Sequence, residues 1–421
     1  MRKIALPTPR VTKNAVGELS DGAKMEFIMK NYKELVAENR AWLEETFKKI
    51  DTKMQAVTLR SRNKLPDGVD ENGAHIDLYT TNMNGWTAGF WGSLNAILYE
   101  YTGNEEYLKT AESSARLLTD ALANYEKLDH DVGFIYHLVF GALHKLTGDA
   151  SYKTKNLFAA ATLSSRFVMG ANFIRAWNPW YPGDESAHNW SIIDCLMNLP
   201  LLYWASKETN DDRFARVAMA HTDMALRAHL RPDGSVAHIV EHSRETGEVV
   251  KTYGGQGLCE GSSWSRGQAW ALYGFTLSYI HTGEVRYLDA AKQVANYFIA
   301  NCCDDWLPRV DFRAPSEPVY YDSTAGACAA CGLIELAKLL PEDEGGMYAH
   351  AAIELLKAEA DAFANFDPAT DDMIGYGTIR YPAQNTKFGD PGLHKSIIYA
   401  DFFYTEAITK LLGTDFSPWL V

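Results

Sequence analysis

The sequence predicts an all-α protein whose helices pair into about six hairpins closed into a toroid. Three observations lead there. A helix stop, a short polar turn and a new helix start recur at Thr102-Gly103-Asn104, Thr147-Gly148-Asp149, Thr209-Asn210-Asp211 and Thr282-Gly283-Glu284. The helix before each stop is apolar or rich in small residues and the helix after it is amphipathic, as an inner and an outer wall require. The threonines at 102, 147, 209 and 282 stand 45, 62 and 73 residues apart, too unevenly for a solenoid of fixed period. Long irregular loops on one side with short polar turns on the other suit a closed ring instead.

In chain order, residues 1–22 are expected to be a loosely held arm and residues 23–421 one domain. Helix is predicted from about Ala23 to Ile50, with Ile28, Tyr32, Leu35 and Trp42 at helical spacing and Phe27 beside them. A loop rich in Gly, Pro and Asn runs from Leu65 to about Asn84. It ends in Gly85-Trp86-Thr87-Ala88-Gly89-Phe90-Trp91, a turn into a helix with Phe90, Leu94, Ile97, Leu98 and Tyr101 on one face. The inner helices of the following hairpins are those carrying Asp131, Asp194 and Trp270. Leu288, Ala291, Ala295, Phe298 and Cys302 mark an amphipathic outer helix, and two more inner helices are predicted at Ser323–Leu340 and Ser396–Leu412. Neither a linker nor a low-complexity segment interrupts the chain.

Composition narrows the function. Forty basic against 54 acidic residues give a net charge of −14, which argues against nucleic acid and anionic membranes as partners, although a few local arginines can hold a small anion. The 11 Trp, 22 Tyr and 18 Phe offer flat faces for sugar stacking, and equally fill cores. Six cysteines lie mostly in apolar or small-residue runs, as reduced buried thiols do. Cys328-Ala329-Ala330-Cys331 has metal or redox spacing but no second pair to complete a site. Met1-Arg2-Lys3 is not followed by an apolar signal segment, and no run is long enough to span a membrane, so a cytoplasmic location is expected.

Two carboxylates stand out. Asp194 sits within Ser191-Ile192-Ile193-Asp194-Cys195-Leu196-Met197, where an unpaired charge would be costly. Asp131, in Leu128-Asp129-His130-Asp131-Val132-Gly133-Phe134, likewise stands at the entrance to an apolar helical run. Acids at helix N-termini are often caps, which is the expectation for Asp322 and Asp401. Asp194 differs, because no polar turn precedes it. Other motifs are thin. His238-Ile239-Val240-Glu241-His242 spaces two histidines as a metal helix would, but Gly234 and the β-branched pair indicate strand or loop, and a third ligand is lacking. Gly255-Gln256-Gly257 lacks the third glycine of a dinucleotide loop.

The strings W-T-A-G-F-W (86–91), H-D-V-G-F (130–134), I-I-D-C-L-M-N-L-P-L-L (192–202) and G-S-S-W-S-R-G-Q-A-W (261–270) resemble, in order and approximate spacing, the unsaturated glucuronyl hydrolases of glycoside hydrolase family 88. The likeness runs from about residue 75 to the C-terminus. It implies an (α/α)6 toroid acting on the 4,5-unsaturated uronic acid that polysaccharide lyases leave at the non-reducing end of an oligosaccharide. It also implies that Asp194 is the general acid/base and Asp131 the second essential carboxylate. Trp86, Phe90, His130, Trp177, His238, Gln256, Trp264, Arg266 and Trp270 would line the substrate pocket. The loop at 240–258 and the stretch Gln384–Ser396 depart from the family pattern, so recognition of the neighbouring sugar is not carried over.

The implied chemistry fits these residues. Protonating C4 of the vinyl ether creates an oxocarbenium-like cation at C5, water adds there, and the hemiketal opens and expels the aglycone. This is hydration, not displacement at C1, so carboxylate separation does not forecast retention or inversion. A protonated Asp194 and an ionised Asp131 are expected, with Arg266 meeting either the substrate carboxylate or a ring hydroxyl. Neither metal nor nucleotide is expected. An unsaturated rhamnogalacturonyl hydrolase is the nearest alternative. A sugar epimerase on this fold would need histidine bases, and a non-enzymatic scaffold would have no use for Asp194.

Overall fold

The computed structural model describes residues 30–179, 186–382 and 391–421. The arm expected over 1–22, and residues 23–29 of the first expected helix, lie outside them. Helix α1 (Tyr32–Ser61) opens on a capping box, Asn31 accepting from the Glu34 amide while Glu34 takes the Asn31 amide, and it runs on past the expected end at Ile50. Its buried stripe is Leu35, Leu43, Ile50, Met54 and Val57.

The helices that follow pair as inner and outer walls: α2 (Phe90–Thr102) with α3 (Glu105–Leu122), α4 (Gly133–Gly141, continued by Ala142–Thr147) with α5 (Ala150–Ser165), α6 (Pro200–Thr209) with α7 (Arg213–Ala228), α8 (Ser265–Thr282) with α9 (Val285–Cys302), and α10 (Ser323–Leu339) with α11 (Glu342–Phe363). The sixth pair closes the ring, because α12 (Ile398–Leu412) packs on α1 from the other end of the chain and on α2 beside it. Inner helices are buried on every side, as α8 is from Ser265 to Ser278 and α10 from Ser323 to Ala337. Outer helices bury one stripe.

The repeated stop has a shared mechanism. Thr102, Thr147, Thr209 and Thr282 donate to the carbonyls of Leu98, Leu143, Ala205 and Ser278, closing the last turn at 2.6–2.7 Å. The next residue turns left-handed: Gly103, Gly148 and Gly283 at φ 71–73°, Asn210 at 51°. Three of the threonines then accept the amide two residues on.

Small antiparallel sheets sit on the long loops, which an all-α expectation does not include. Strands β1 (Pro66–Val69) and β2 (His75–Asp77) form one hairpin, and β3 (Phe167–Val168) and β4 (Phe173–Ile174) a second. Strands β5 (Trp190–Ile192), β6 (Ile239–His242) and β7 (Val249–Tyr253) make the third sheet, with Ser191 opposite Val240 and Ile192 opposite Ile239. One continuous core follows the ring, and Ala176, Ile192 and Ile239 form a smaller cluster beneath Trp177, Trp190 and Tyr253. No described helix is long and apolar enough to cross a membrane.

Candidate active site

Strand β5 delivers Asp194. The Ile193 amide donates to the His238 carbonyl (3.1 Å), extending the β5–β6 pairing, and Asp194 emerges with Oδ1 3.5 Å from His238 Nε2. The apolar run 191–202 is therefore not one helix. It is a strand end, a 3-10 turn (Ile193–Met197), and an α-helix that begins only at Pro200, where the ring suits a first helical position. The Asp194 side chain is 15% exposed, enough to meet a ligand, and its Oδ1 has no hydrogen-bond partner. Burial pushes this carboxyl up to about 7, with the Arg266 charge pulling it back.

His238 is fixed by its other nitrogen. The Gln256 amide donates to Nδ1 (3.0 Å), so Nε2 carries the proton and faces Asp194. Burial holds this imidazole down to about 3, hence neutral. The turn lies so close that a Cβ on Gly255 (φ +58°) would fall 2.0 Å from Nδ1, and only glycine fits.

Asp131 precedes α4, whose first nine residues wind as a π-helix, a rare form that often marks functional sites. Asn198 joins the two acids. Its Nδ2 donates to Asp131 Oδ1 (3.3 Å), its Oδ1 takes the Phe134 amide (2.8 Å), and it stands four residues beyond Asp194. A Cβ on Gly133 would collide with it at 2.5 Å. His130 is fully buried beside Asp131 (Nε2 to Oδ1 3.5 Å), neither ring nitrogen has a partner, and burial keeps it neutral. Burial, then Asp129, then Asp194 push the Asp131 carboxyl well above its usual range. The environment favours the protonated form of Asp131, against the ionised carboxylate expected there.

Arg266 is buried and already engaged. Its guanidinium pairs with Asp322 (2.5 Å), donates to Thr324 Oγ1 and to the Thr378 and Ile379 carbonyls, and lies over the rings of Trp264 and Tyr399. Asp322 makes no side-chain cap to its own helix, and Asp401 accepts the Ile374 amide (2.7 Å) from another segment. Both expected caps are thus replaced by tertiary bonds. Gln268 is likewise used, holding Val236 and Gly234.

Arg266 and Gln256 open onto a cavity of about 540 Å³ whose walls include Trp86, Ile379 and Tyr399; Asp131 and Asp194 are not among its lining residues. Trp86 is half-buried and packs on Tyr399, with ring centroids 4.8 Å apart. Phe90, expected to line the pocket, is instead fully buried behind Trp86 against Phe134, Phe402 and Phe403. Trp270 is also fully buried, and like Trp264 it leaves its indole N–H without a partner. Trp177 is half-buried beside Trp190, and its neighbour Ala176 accepts the His130 amide.

Sequence reasoning missed Asn198 and Tyr399, and read Asp322 as a cap and not as the partner of Arg266. The four-residue spacing of Asp194 and Asn198 was a usable signal for the first; nothing local marked Tyr399. Among the described residues, no three His, Cys, Asp or Glu gather as a metal site needs. His242 points instead to Ser191 (2.8 Å).

The chain resembles known proteins along most of its length. It is 36% identical over 360 residues to the unsaturated glucuronyl hydrolase of Bacillus sp. (strain GL1), covering 84% of this chain and 94% of that protein. The unsaturated chondroitin disaccharide hydrolase of Streptococcus pneumoniae is 32% identical over 332 residues, 77% of this chain and 81% of the relative. The crystal structure of the Bacillus sp. GL1 enzyme superposes with a TM-score of 0.79 at 33% identity, over 86% of this chain and 96% of that one. The fold is accordingly the (α/α)6 barrel of those hydrolases. With residues 63–310 also matching the model of Glycosyl Hydrolase Family 88, the protein is a member of that family.

Proposed function

We propose that the protein is an unsaturated glucuronyl hydrolase, releasing the 4,5-unsaturated uronic acid from the non-reducing end of lyase-generated oligosaccharides. The observation that carries it is Asp194: a largely buried carboxyl with an unpartnered oxygen and a pKa of about 7, beside a neutral histidine and within electrostatic reach of Arg266, which lines an aromatic-walled cavity. Such an acid is half-protonated at working pH and tolerates both of its states, which is what proton delivery to carbon demands.

In this mechanism Asp194 gives its proton to C4, and the C4=C5 electrons form the new C–H bond. The cation left at C5 is shared with the ring oxygen. Asp194, now ionised, takes a proton from the water that adds at C5. The hemiketal then opens and the aglycone leaves. Asp131, neutral and held by Asn198, hydrogen-bonds sugar hydroxyls. His238 donates through Nε2 to the Asp194 carboxylate as it forms. Arg266 has most of its donors committed, so it acts on the substrate chiefly as a fixed positive charge and as the backing of Trp264. Trp86 and Trp177 supply stacking faces. The six unpaired cysteines support a reducing location, and we place the protein in the cytoplasm.

Turnover is tested by following the ultraviolet absorbance of the C4=C5 bond, with unsaturated disaccharides from chondroitin, hyaluronan, heparin, gellan and ulvan lyases as substrates. Loss of absorbance with at least one establishes the activity. No loss with any of these disaccharides, alongside loss with an unsaturated galacturonyl–rhamnose disaccharide, would move the protein to the rhamnogalacturonyl class.

A further inference from the structure

A second, half-buried arginine lies within electrostatic reach of Asp131 as Arg266 does of Asp194. Arg166 follows the last residue of α5, far in sequence from both acids, and no motif singled it out. Its guanidinium donates at every nitrogen: Nε to the Arg175 carbonyl (2.9 Å), Nη2 to the Ala176 carbonyl (2.9 Å), and Nη1 to the Leu128 carbonyl (3.3 Å) and to Asn178 Oδ1 (2.8 Å). Two segments therefore meet on one planar fork. The first, through Leu128, leads directly into His130 and Asp131; the second, Arg175 to Asn178, contains Trp177.

Asn178 completes the bond between them. Its Nδ2 donates to the Leu128 carbonyl (2.8 Å) and reaches the Glu126 carbonyl (3.2 Å), while its Oδ1 receives Arg166 and Arg175. The Ala176 carbonyl accepts twice, from Arg166 and from the His130 amide (3.1 Å). Within the first segment Asp129 takes the Asp131 amide (2.9 Å), within electrostatic reach of the Arg166 charge. A point charge cannot make these contacts together, since they need the flat, multi-donor geometry of guanidinium.

We propose that Arg166, with Asn178, is a positioning residue: it holds the Trp177 segment against the His130–Asp131 segment, so that the stacking face and the second carboxyl approach the sugar as one rigid unit. The inference rests on the functional reading above and adds a specific cause for substrate affinity. Neither residue touches the sugar. Loss of the clamp leaves Asp194 and its proton in place, so binding suffers more than the chemical step.

The test uses the full chain with Asn178→Ala and Arg166→Lys, and with Trp177→Ala alone and combined with Asn178→Ala. Wild-type turnover on an unsaturated disaccharide is measured first; its absence on every uronide overturns the functional reading, and this inference with it. With wild type active, Asn178→Ala and Arg166→Lys should raise KM about tenfold while kcat and its pH profile change little. The KM effects of Asn178→Ala and Trp177→Ala should combine to clearly less than their sum, because much of what Asn178 positions is already gone in the Trp177 variant. Two results would overturn the proposal. One is unchanged KM in both single variants; the other is a Tm loss with KM effects that add fully to those of Trp177→Ala, as a merely structural role would give.

Discussion

Asp194 and Asp131 are both buried aspartates, yet their surroundings set them different tasks. Arg266 draws the Asp194 carboxyl back to about 7, whereas Asp129 and Asp194 drive Asp131 further up. Because burial and two acidic neighbours favour the protonated form of Asp131, Asp131→Asn exchanges one neutral group for another, and the alkaline limb of the kcat/KM profile should keep its position. Activity should still fall, by about tenfold or more, because the hydrogen bonding around Asn198 is altered. A pH–rate series checks this: a downward shift of the limb by a full unit would show that Asp131 is charged. Much of the site was legible at this scale, since an acid among Ile, Cys, Leu and Met is costly to bury and stands out for that reason. Phe90 was not. Its aromatic ring suits a sugar wall and a core equally well, and only the packing of Phe402 and Phe403 from the far end of the chain decides for the core.

At the scale of elements, the hairpins were legible because each stop is local chemistry, a threonine closing the last turn and a left-handed residue ending it. Strand β6 was legible as strand or loop from Gly234 and its β-branched pair; β5 was not, because it pairs with β6 across nearly fifty residues and its short apolar run reads as helix as readily as strand. Caps are misread for the same reason. Asp401 looks like a cap from its neighbours, but it is used by the Ile374 amide, and burial raises it to about 8. Stability should respond to this. Below about pH 4 both states hold the proton. Between about pH 4 and 8 the folded state keeps a proton that the unfolded chain has released, so stability falls as pH rises. Asp401→Asn should flatten part of that fall, seen as a smaller drop in the urea midpoint between pH 5 and pH 8 than in wild type. An equal drop would mean that Asp401 titrates normally.

For the whole molecule, the ring divides stability from chemistry along the axis of its helices. Toward the C-terminal ends of the inner helices, Lys410 is buried between Glu335 (2.7 Å), Glu406 (3.0 Å) and the Tyr273 hydroxyl (2.6 Å), tying α8, α10 and α12 together. Trp419 donates to Glu406 from the C-terminal segment that packs on the base of the core. Lys410→Met would strand two buried carboxylates and should destabilise by about 3–5 kcal/mol in urea unfolding. The variant molecules that remain folded should turn over normally, since Lys410 lies about 18 Å along α12 from its first residue. Loss of kcat at full folding would show that the two ends of the ring are coupled. No single stretch of sequence announces this arrangement, because closure depends on α1 and α12 meeting from opposite ends of the chain.

Whether Asp194 delivers the proton to C4 is decided by turnover of Asp194→Asn on an unsaturated uronide that wild type consumes. Asparagine keeps the shape and leaves an amide oxygen facing His238, but it has no proton to give to carbon. In that variant kcat should fall by at least the ~10²–10⁴ typical of a lost general acid, with substrate still bound. Near-wild-type turnover would rule Asp194 out as the donor and leave that role to Asp131, the other buried carboxyl.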